Sequence, residues 1–165
     1  MASYSFDVTT GADLQEVDNA VNQTMKEVIQ RYDFKGSKCT LGFDRANGLL
    51  KLEADDEYRM KAFFDILQAK LIRRKVPLKN LKIGDDEEAG GSRIRKEIGL
   101  IQSISGDTAR EIVKAVKAQK LKKVQVAIQG DQLRVSSPSK DQLQEVMGFL
   151  SDGDWGIELK FGNYR

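Results

Sequence analysis

The sequence predicts an α+β protein made of two halves that repeat the same order of elements. Apolar residues alternate with period two in several short segments and recur at helical spacing in four longer ones. Glycine-containing turns separate two pairs of the alternating segments. In each half the order is strand, helix, hairpin, helix, strand. The halves share this order and not their residues, so the repeat is one of architecture.

The first half is predicted to begin with a strand at residues 4–9, in which apolar and polar residues alternate. Asp13 is expected to begin the next helix, because Glu16 follows at the spacing of a capping box. Residues 40–44 and 49–54 are predicted strands, and the Asn-Gly pair between them is a strong hairpin signal. The first half therefore opens with a strand, a helix and a hairpin.

A second helix and a short edge strand complete the first half. The helix is expected to begin at Asp55 or Asp56 and to stop at Val76-Pro77, because the residue before a proline disfavours helical geometry. Residues 79–83 are compatible with a short edge strand. The segment 84–92 is acidic, contains glycines and has almost no apolar residues, so it is the best linker in the chain.

The second half repeats the order of the first. Its predicted elements are a β-compatible segment at 93–103, a helix from Thr108, strands at 124–129 and 132–136, a helix capped by Ser139 and a strand over 157–161. The linker predicts two domains, residues 1–88 and 89–165. Their common element order is that of the ferredoxin-like fold, which RNA-recognition modules also use. The predicted fold class is therefore α+β, a tandem of two ferredoxin-like domains.

The composition removes much of the usual chemistry of enzymes. The 165 residues include no histidine and a single cysteine, which excludes an internal disulfide, His-dependent triads and multi-cysteine metal sites. Neither a P-loop nor a GxGxxG pattern occurs. We therefore predict no catalytic residue, no metal site and no cofactor, and expect a protein that is not an enzyme. No long apolar run and no signal-peptide pattern is found, so we expect a cytoplasmic location and no membrane partner.

Charge is distributed unevenly, although the formal net charge is only +2. From Arg93 to Arg134 there are ten basic and four acidic residues. Such a stretch fits a partner that carries phosphate. It equally fits a solvated surface of mixed charge.

The hairpin of the second half lacks the aromatic residues with which RNA-recognition modules stack bases. One face of this hairpin is apolar, and the other carries glutamine, alanine, arginine and serine. The RNP1 pattern is also absent. Base stacking is therefore not expected here, and Gln129, Gln132 and Arg134 are the candidate nucleotide-binding residues, through amide and guanidinium hydrogen bonds.

A basic stripe is predicted on the helix that precedes this hairpin. Arg110, Lys114 and Lys117 are spaced to share one helical face, and we predict that they contact the nucleotide. The simpler interpretation, which the sequence favours, is an ordinary capped helix with a solvated basic face.

The loop at residues 31–36 mixes charged and aromatic residues and is a further candidate. Arg31 and Lys35 could meet phosphate while Tyr32 and Phe34 stack on a base. The alternative is structural, with both aromatic rings filling a junction in the fold.

Several segments, in order and over essentially the whole chain, resemble the bacterial YajQ family. These segments are Ser5–Val8, Asn19–Val21, Arg31–Ser37, Gly106–Lys114, Ile128–Val135 and Phe161–Arg165. The resemblance implies two ferredoxin-like domains interlocked by exchange of their first strands. Residues 4–9 would then join the sheet of the second half, and a strand near 93–103 would join the first.

The resemblance also implies a function. Members of the YajQ family are cytoplasmic nucleotide-binding proteins, and some are linked to cyclic di-GMP signalling, whereas no catalytic activity is implied. The expected partner is a nucleotide or nucleic acid, such as GTP, cyclic di-GMP or RNA. Two alternatives stay open: a protein–protein adaptor whose basic faces keep it in solution, and a transcriptional regulator that responds to cyclic di-GMP.

Overall fold

A computed structural model describes residues 3–165, which form a mixed α+β structure with two antiparallel sheets. The predicted α+β class is thus confirmed. The helices are α1 (Leu14–Gln30), α2 (Glu57–Arg73), α3 (Gly106–Ala118) and α4 (Lys140–Asp152). The strands are β1 (Tyr4–Thr9), β2 (Thr40–Asp44), β3 (Leu49–Ala54), β4 (Leu81–Ile83), β5 (Glu87–Glu88), β6 (Ile94–Leu100), β7 (Gln125–Gln129), β8 (Gln132–Ser137) and β9 (Lys160–Gly162). Among residues 3–165, no helix is long and apolar enough to cross a membrane.

The chain forms two compact units, and one of them is discontinuous in sequence. The continuous unit is Ala12–Ile101, and the split unit combines the residues up to Gly11 with Gln102–Arg165. These bounds differ from the predicted domains 1–88 and 89–165. The reason is that β1 and β6 pair in the sheets to which the other half of the sequence contributes most strands.

The sheet of the split unit has the order β7-β8-β1-β9, so β1 is an internal strand. Phe6 lies opposite Val135 and Val8 opposite Phe161, and all strand pairs are antiparallel. Helices α3 and α4 pack against this sheet, α3 on β7 and α4 on β8 and β1. Alternation along β1 therefore puts Phe6 and Val8 into the core, as the apolar period predicts.

The sheet of the continuous unit has the order β2-β3-β6-β4, with the two-residue β5 also paired to β6. Leu50 and Ile98 lie opposite each other in the two central strands, and both are fully buried. Helices α1 and α2 pack against each other and cover this sheet, with Phe63 and Leu67 of α2 in the core.

Side-chain caps fix three of the four helix starts as the sequence predicts. Asp13, Asp56 and Ser139 each accept a hydrogen bond from a backbone N–H in the first turn. The prediction for α3 is wrong by one turn. Ser105, and not Thr108, is the cap, and the backbone N–H of Thr108 donates to its hydroxyl at 3.2 Å.

Three further segments differ from their predictions. The loop at 31–36 contains a 3-10 turn at Tyr32–Phe34. The segment 84–92 contains β5, which pairs with β6, so this stretch is partly ordered by the sheet. The last strand is shorter than predicted, because β1 pairs only with Lys160–Gly162 of the alternating segment.

Candidate functional site

A cavity of about 600 Å³ opens in the split unit along α3 and the β7–β8 hairpin, and we name it the hairpin cavity. Its lining residues are Val116, Lys117, Leu121, Val124, Gln125, Val126, Ala127, Gln129, Arg134 and Ser136. Volumes of about 300–1,000 Å³ are typical of small-molecule sites. The cavity is therefore large enough for a nucleotide.

The lining combines an apolar surface with a few polar groups. Val116 comes from the last turn of α3, and Leu121 and Val124 come from the loop that leads into β7. Gln125 lies opposite Ser136, and Ala127 lies opposite Arg134, so the hairpin presents amide, hydroxyl and guanidinium groups in register. This mixture of an apolar wall and a few polar groups is typical of ligand pockets.

The loop between α3 and β7 carries two lysines in left-handed backbone geometry. Lys120 has a φ of 54° and Lys123 a φ of 59°. Lys120 follows the helix end, and its backbone N–H donates to the Lys117 carbonyl at 3.1 Å. Glycine is the usual residue at such a position, because a side chain is strained there. Lys120 and Lys123 therefore bring positive charge to the loop beside the cavity, at positions where the backbone conformation favours glycine.

Arg134 forms an ion pair with Asp7 across two strands of the sheet. Its Nε donates to Asp7 Oδ1 at 2.9 Å, and its Nη2 lies 3.4 Å from Asp7 Oδ2. Asn163 donates to the same Asp7 oxygen at 2.7 Å. The pair spans directly opposed positions of β1 and β8. Only the third nitrogen, Nη1, has no protein partner among the described residues.

Asp7 is an ionised carboxylate in a largely buried position. Only 7% of its side chain is exposed, against 31% for Arg134. Hydrogen bonding from Arg134 is the main cause that lowers the pKa of Asp7, and burial opposes that effect. Asn163 adds to the lowering. The negative charge of Asp7 therefore offsets much of the positive charge that Arg134 brings to the cavity.

The structure brings together three of the six candidates predicted in the second half. Lys117, Gln129 and Arg134 all line the hairpin cavity. Arg110, Lys114 and Gln132 do not line it. Arg110 forms an ion pair with Asp107 at the start of α3, so part of its charge is already used.

The two candidates of the first half lie in the continuous unit. Arg31 pairs with Asp33 at 2.8 Å and with Glu27 at 3.4 Å, and it also lies over the ring of Phe34. Phe34 is buried and makes an edge contact with another core ring. Lys35 is exposed. Phe34 thus has the structural role, whereas Tyr32 is 87% exposed.

Comparison with known proteins gives the chain its relatives. A protein-family model described as "Nucleotide-binding protein YajQ-like" matches residues 4–165. The chain belongs to the YajQ family. A protein of Citrifermentans bemidjiense named "Nucleotide-binding protein" is 48% identical over 161 residues, 98% of each chain. A protein of the same name from Carboxydothermus hydrogenoformans is 46% identical over the full length of both chains. A Koribacter versatilis nucleotide-binding protein is 45% identical over 100% of this chain and 99% of its own.

Several residues that line the hairpin cavity are neither charged nor part of a motif, so the sequence alone does not mark them as site residues. Gln125 and Ser136 are polar residues of alternating strands, and Leu121 is a single apolar residue in a lysine-rich loop. The partner of Arg134 is missed because Asp7 lies 127 positions away. One feature of the sequence does indicate this partner. Asp7 is the charged residue between the apolar Phe6 and Val8, so its side chain is expected on the face opposite to theirs. Once β1 and β8 are paired, Arg134 lies on that same face.

The described part of the chain offers no cluster suited to a metal ion, and its single thiol is half-buried. Among residues 3–165 no cluster of three or more acidic, cysteine or histidine side chains could hold a metal ion. Cys39 is half-buried, and burial raises the pKa of its thiol, which opposes formation of the reactive thiolate.

Proposed function

We propose that this YajQ-family protein is a cytoplasmic, non-catalytic nucleotide-binding protein that holds its ligand in the hairpin cavity. The observation that carries the proposal is the joint lining of one cavity by Lys117, Gln129 and Arg134. The names of the relatives, which describe nucleotide-binding proteins, support it. The volume of the cavity and its mixed lining are consistent with a ligand that has both an apolar ring and an anionic group.

Each part of a nucleotide has a matching part of the cavity. The ring is proposed to lie on the apolar wall of Val116, Leu121 and Val124. The amides of Gln125 and Gln129 offer both donors and acceptors to the ring edges. The phosphate is proposed to meet Lys117 and the free Nη1 of Arg134.

The remaining basic residues of the split unit are proposed to act at longer range. Lys114 and Arg110 lie outside the lining, so they are assigned to the approach of the ligand and not to its bound position. Exposed charges of this kind steer association and are screened by salt. The neutral Gln132 also lies outside the lining and is assigned no role through charge. Arg31 and Lys35 are proposed as a separate, weaker contact, because the charge of Arg31 is compensated by two carboxylates.

We also propose that the two sheets are those of two ferredoxin-like domains that exchange their first strands. In this interpretation β1 is the first strand of the first domain, although it pairs with β8 and β9. Correspondingly, β6 is the first strand of the second domain, although it pairs with β3 and β4. Deletion of residues 1–9 should then reduce amide-exchange protection in β7 and β8, and unchanged protection there would contradict the exchange.

Calorimetric titration of the full chain with GTP, cyclic di-GMP and a short RNA, at two salt concentrations, tests the function. We expect binding of a free nucleotide with a shallow salt dependence, because a cavity uses few phosphate contacts. Lys117→Ala should weaken that binding by about 1–2 kcal/mol. Lys79→Ala, at an exposed lysine of the continuous unit, is the control and should change nothing.

Other outcomes of the same titration assign other functions. Binding of RNA alone, with a steep loss of affinity as salt rises, would indicate contacts with the phosphate backbone in place of a pocket. Binding of cyclic di-GMP alone would favour the regulator. Heat from none of the three ligands would contradict nucleotide binding and favour the adaptor.

A further inference from the structure

The split unit contains a second, smaller cleft on the side of the sheet where α4 packs. Its volume is about 180 Å³, and it is formed by β1, α4 and the residues that follow β9. Two tyrosines, Tyr4 and Tyr164, and two cations, Lys140 and Arg165, are part of its lining. We name it the tyrosine cleft. None of its lining residues belongs to the hairpin cavity.

The two cations of this cleft form no ion pair among the described residues, although the charge of Arg165 helps to lower the pKa of Asp7. No carboxylate side chain is part of its lining. Lys140 instead lies over the ring of Tyr4, with Nζ 4.8 Å from the ring centre. The tyrosine cleft therefore has two cations without a direct ion pair, of which Arg165 interacts with Asp7 at longer range, whereas Arg134 of the hairpin cavity pairs with Asp7 directly.

The position of Tyr164 is fixed on both sides by hydrogen bonds. Before it, the side chain of Asn163 donates to Asp7 at 2.7 Å. After it, the backbone of Arg165 exchanges two hydrogen bonds with Ser5 of β1, at 3.0 and 3.2 Å. The ring of Tyr164 nevertheless stays 63% exposed, next to the buried Phe6. A held but exposed aromatic ring is a surface on which another ring can stack.

These observations define the ligand by its chemistry. The apolar side chains of Leu143 and Met147 and the ring of Tyr164 suit a flat aromatic ring. Gln144 adds an amide that can pair with donors and acceptors on a ring edge. Lys140 and Arg165 require an anionic substituent. We propose that the tyrosine cleft is a second ligand site, for the ring of a purine nucleoside monophosphate whose phosphate meets Lys140 and Arg165.

The volume explains why only part of such a ligand would be enclosed. The cleft is smaller than the sites of about 300–1,000 Å³ that surround whole ligands. The ring fits inside, and the phosphate stays at the rim with the two cations. We therefore expect weak binding that depends on both stacking and charge.

NMR titration of the full ¹⁵N-labelled chain with AMP, adenosine and inorganic phosphate tests the proposal. AMP should shift the amides of residues 140–147 and 163–165, and it should bind there more tightly than either adenosine or phosphate alone. Tyr164→Ala should weaken AMP binding at these amides at least about fivefold, which corresponds to roughly 1 kcal/mol. Tyr164→Phe should retain it. Tyr58→Ala, at a tyrosine of the continuous unit that is 76% exposed, should have no effect.

The same spectra separate this proposal from the one for the hairpin cavity. Amides of Gln125, Ala127 and Gln129 report the hairpin cavity, and their shifts are read independently. Shifts there without shifts at residues 163–165 would overturn the tyrosine cleft and leave the proposed function standing. Equal affinity for AMP and phosphate at the cleft, or no effect of Tyr164→Ala, would also overturn it. Shifts at the cleft alone would support it and contradict the assignment of the hairpin cavity.

Discussion

The two compact units carry the same net charge and use their charges differently. The continuous unit has 17 basic and 16 acidic residues, and the split unit has 10 and 9, so each is at +1. Among the described residues, eight of the 17 basic residues in the continuous unit form ion pairs. Only two of the ten in the split unit do so.

This difference shows that net charge is a poor guide to where an anion would bind. The carboxylate of an ion pair reduces the positive potential around its cation, whereas an unpaired cation attracts anions from solution. The split unit also has a pair with a buried carboxylate, that of Asp7 with Arg134, whereas both partners of the Asp18–Arg45 pair are more exposed than Asp7. Among the described residues the two units have similar numbers of unpaired cations, nine in the continuous unit and eight in the split unit, but these are about half of the cations in the first and four fifths in the second. The units therefore differ in the fraction of cations that is unpaired and not in their number.

The largest expected effect is that of Phe6→Ala in β1, which tests whether the split unit depends on this strand for its stability. Phe6 is 1% exposed in β1, and Phe63 is fully buried in α2. Phe6→Ala should destabilise the split unit by about 3–5 kcal/mol and lower amide-exchange protection in β7 and β8. Phe63→Ala should have a similar effect on β3 and β6. Loss of protection in β3 and β6 alone, in the Phe6 variant, would contradict the division into these units.

A pair of double-mutant cycles sharpens the contrast between buried and exposed ion pairs. The cycle of Asp7→Asn with Arg134→Gln should give a coupling energy of about 1.5–3 kcal/mol, because hydrogen bonds to a buried charge are strong. The cycle of Asp18→Asn with Arg45→Gln should give about 0.2–1 kcal/mol. Urea unfolding measures both. Equal coupling energies would show that the burial of Asp7 has no energetic consequence.

The pH dependence of stability should reflect the same contrast. In the folded protein the pKa of Asp7 lies below its ordinary value of 3.8, chiefly because Arg134 donates to it. Its contribution is therefore complete above pH 3.8 and is lost as the pH falls through the folded value. Urea midpoints of the parent and of Asp7→Asn should differ at neutral pH and converge in acid.

Glu27 provides the matched measurement in the continuous unit. Hydrogen bonding from Lys70 is the main cause that lowers its pKa, but its side chain is much more exposed than that of Asp7. Glu27→Gln should follow the same direction with a smaller difference at neutral pH, because water screens the pair. If Glu27→Gln lowered the urea midpoint at neutral pH more than Asp7→Asn does, the more exposed pair of the continuous unit would stabilise its unit more than the buried pair of the split unit does, contrary to this prediction.

The smallest expected effect concerns the lysines at helix ends. Lys120 in the split unit and Lys75 in the continuous unit both have positive φ, at 54° and 61°. Replacing either with glycine relieves the strain of the side chain, and we expect each change to stabilise by about 0.5–1 kcal/mol. Only Lys120→Gly should also weaken nucleotide binding, because Lys120 lies beside the hairpin cavity. Thermal unfolding and calorimetry measure the two effects separately.

Local signals predict the elements of the fold well and their pairing less well. Alternation in β1 and β8, the turn at Gly130 and the caps at Asp13 and Ser139 depend on neighbouring residues, so the sequence shows them directly. The pairing of β1 with β8 depends on residues that are far apart, and only a resemblance to a family suggested it. For the same reason the elements are found at nearly correct bounds, whereas the domains 1–88 and 89–165, with their first strands exchanged, stay a prediction.

The candidate site is predictable only in part. Lys117 and Arg134 are found because they are charged and lie in a basic stretch. Asp7 offsets the charge of Arg134, but this effect can be recognised only once the register of β1 and β8 is known. In sequence, Asp7 looks like any aspartate of a strand with one exposed face. Tyr164 lies in a segment that resembles the YajQ family, but neither it nor Lys140 is predicted as a site residue, because a cleft is a property of packing.

The internal position of β1 has a consequence for how the chain is synthesised. Asp7 must wait for Arg134, 127 positions later, before its pair can form. At about 5–20 residues per second, that wait is about 6–25 s. All strands of the continuous unit's sheet lie within Ala12–Ile101, so we expect this unit to fold during this time. Throughout the wait, the ribosome-bound chain carries Phe6 and Val8 on a strand with no partner, and such a segment is exposed to aggregation and to chaperones.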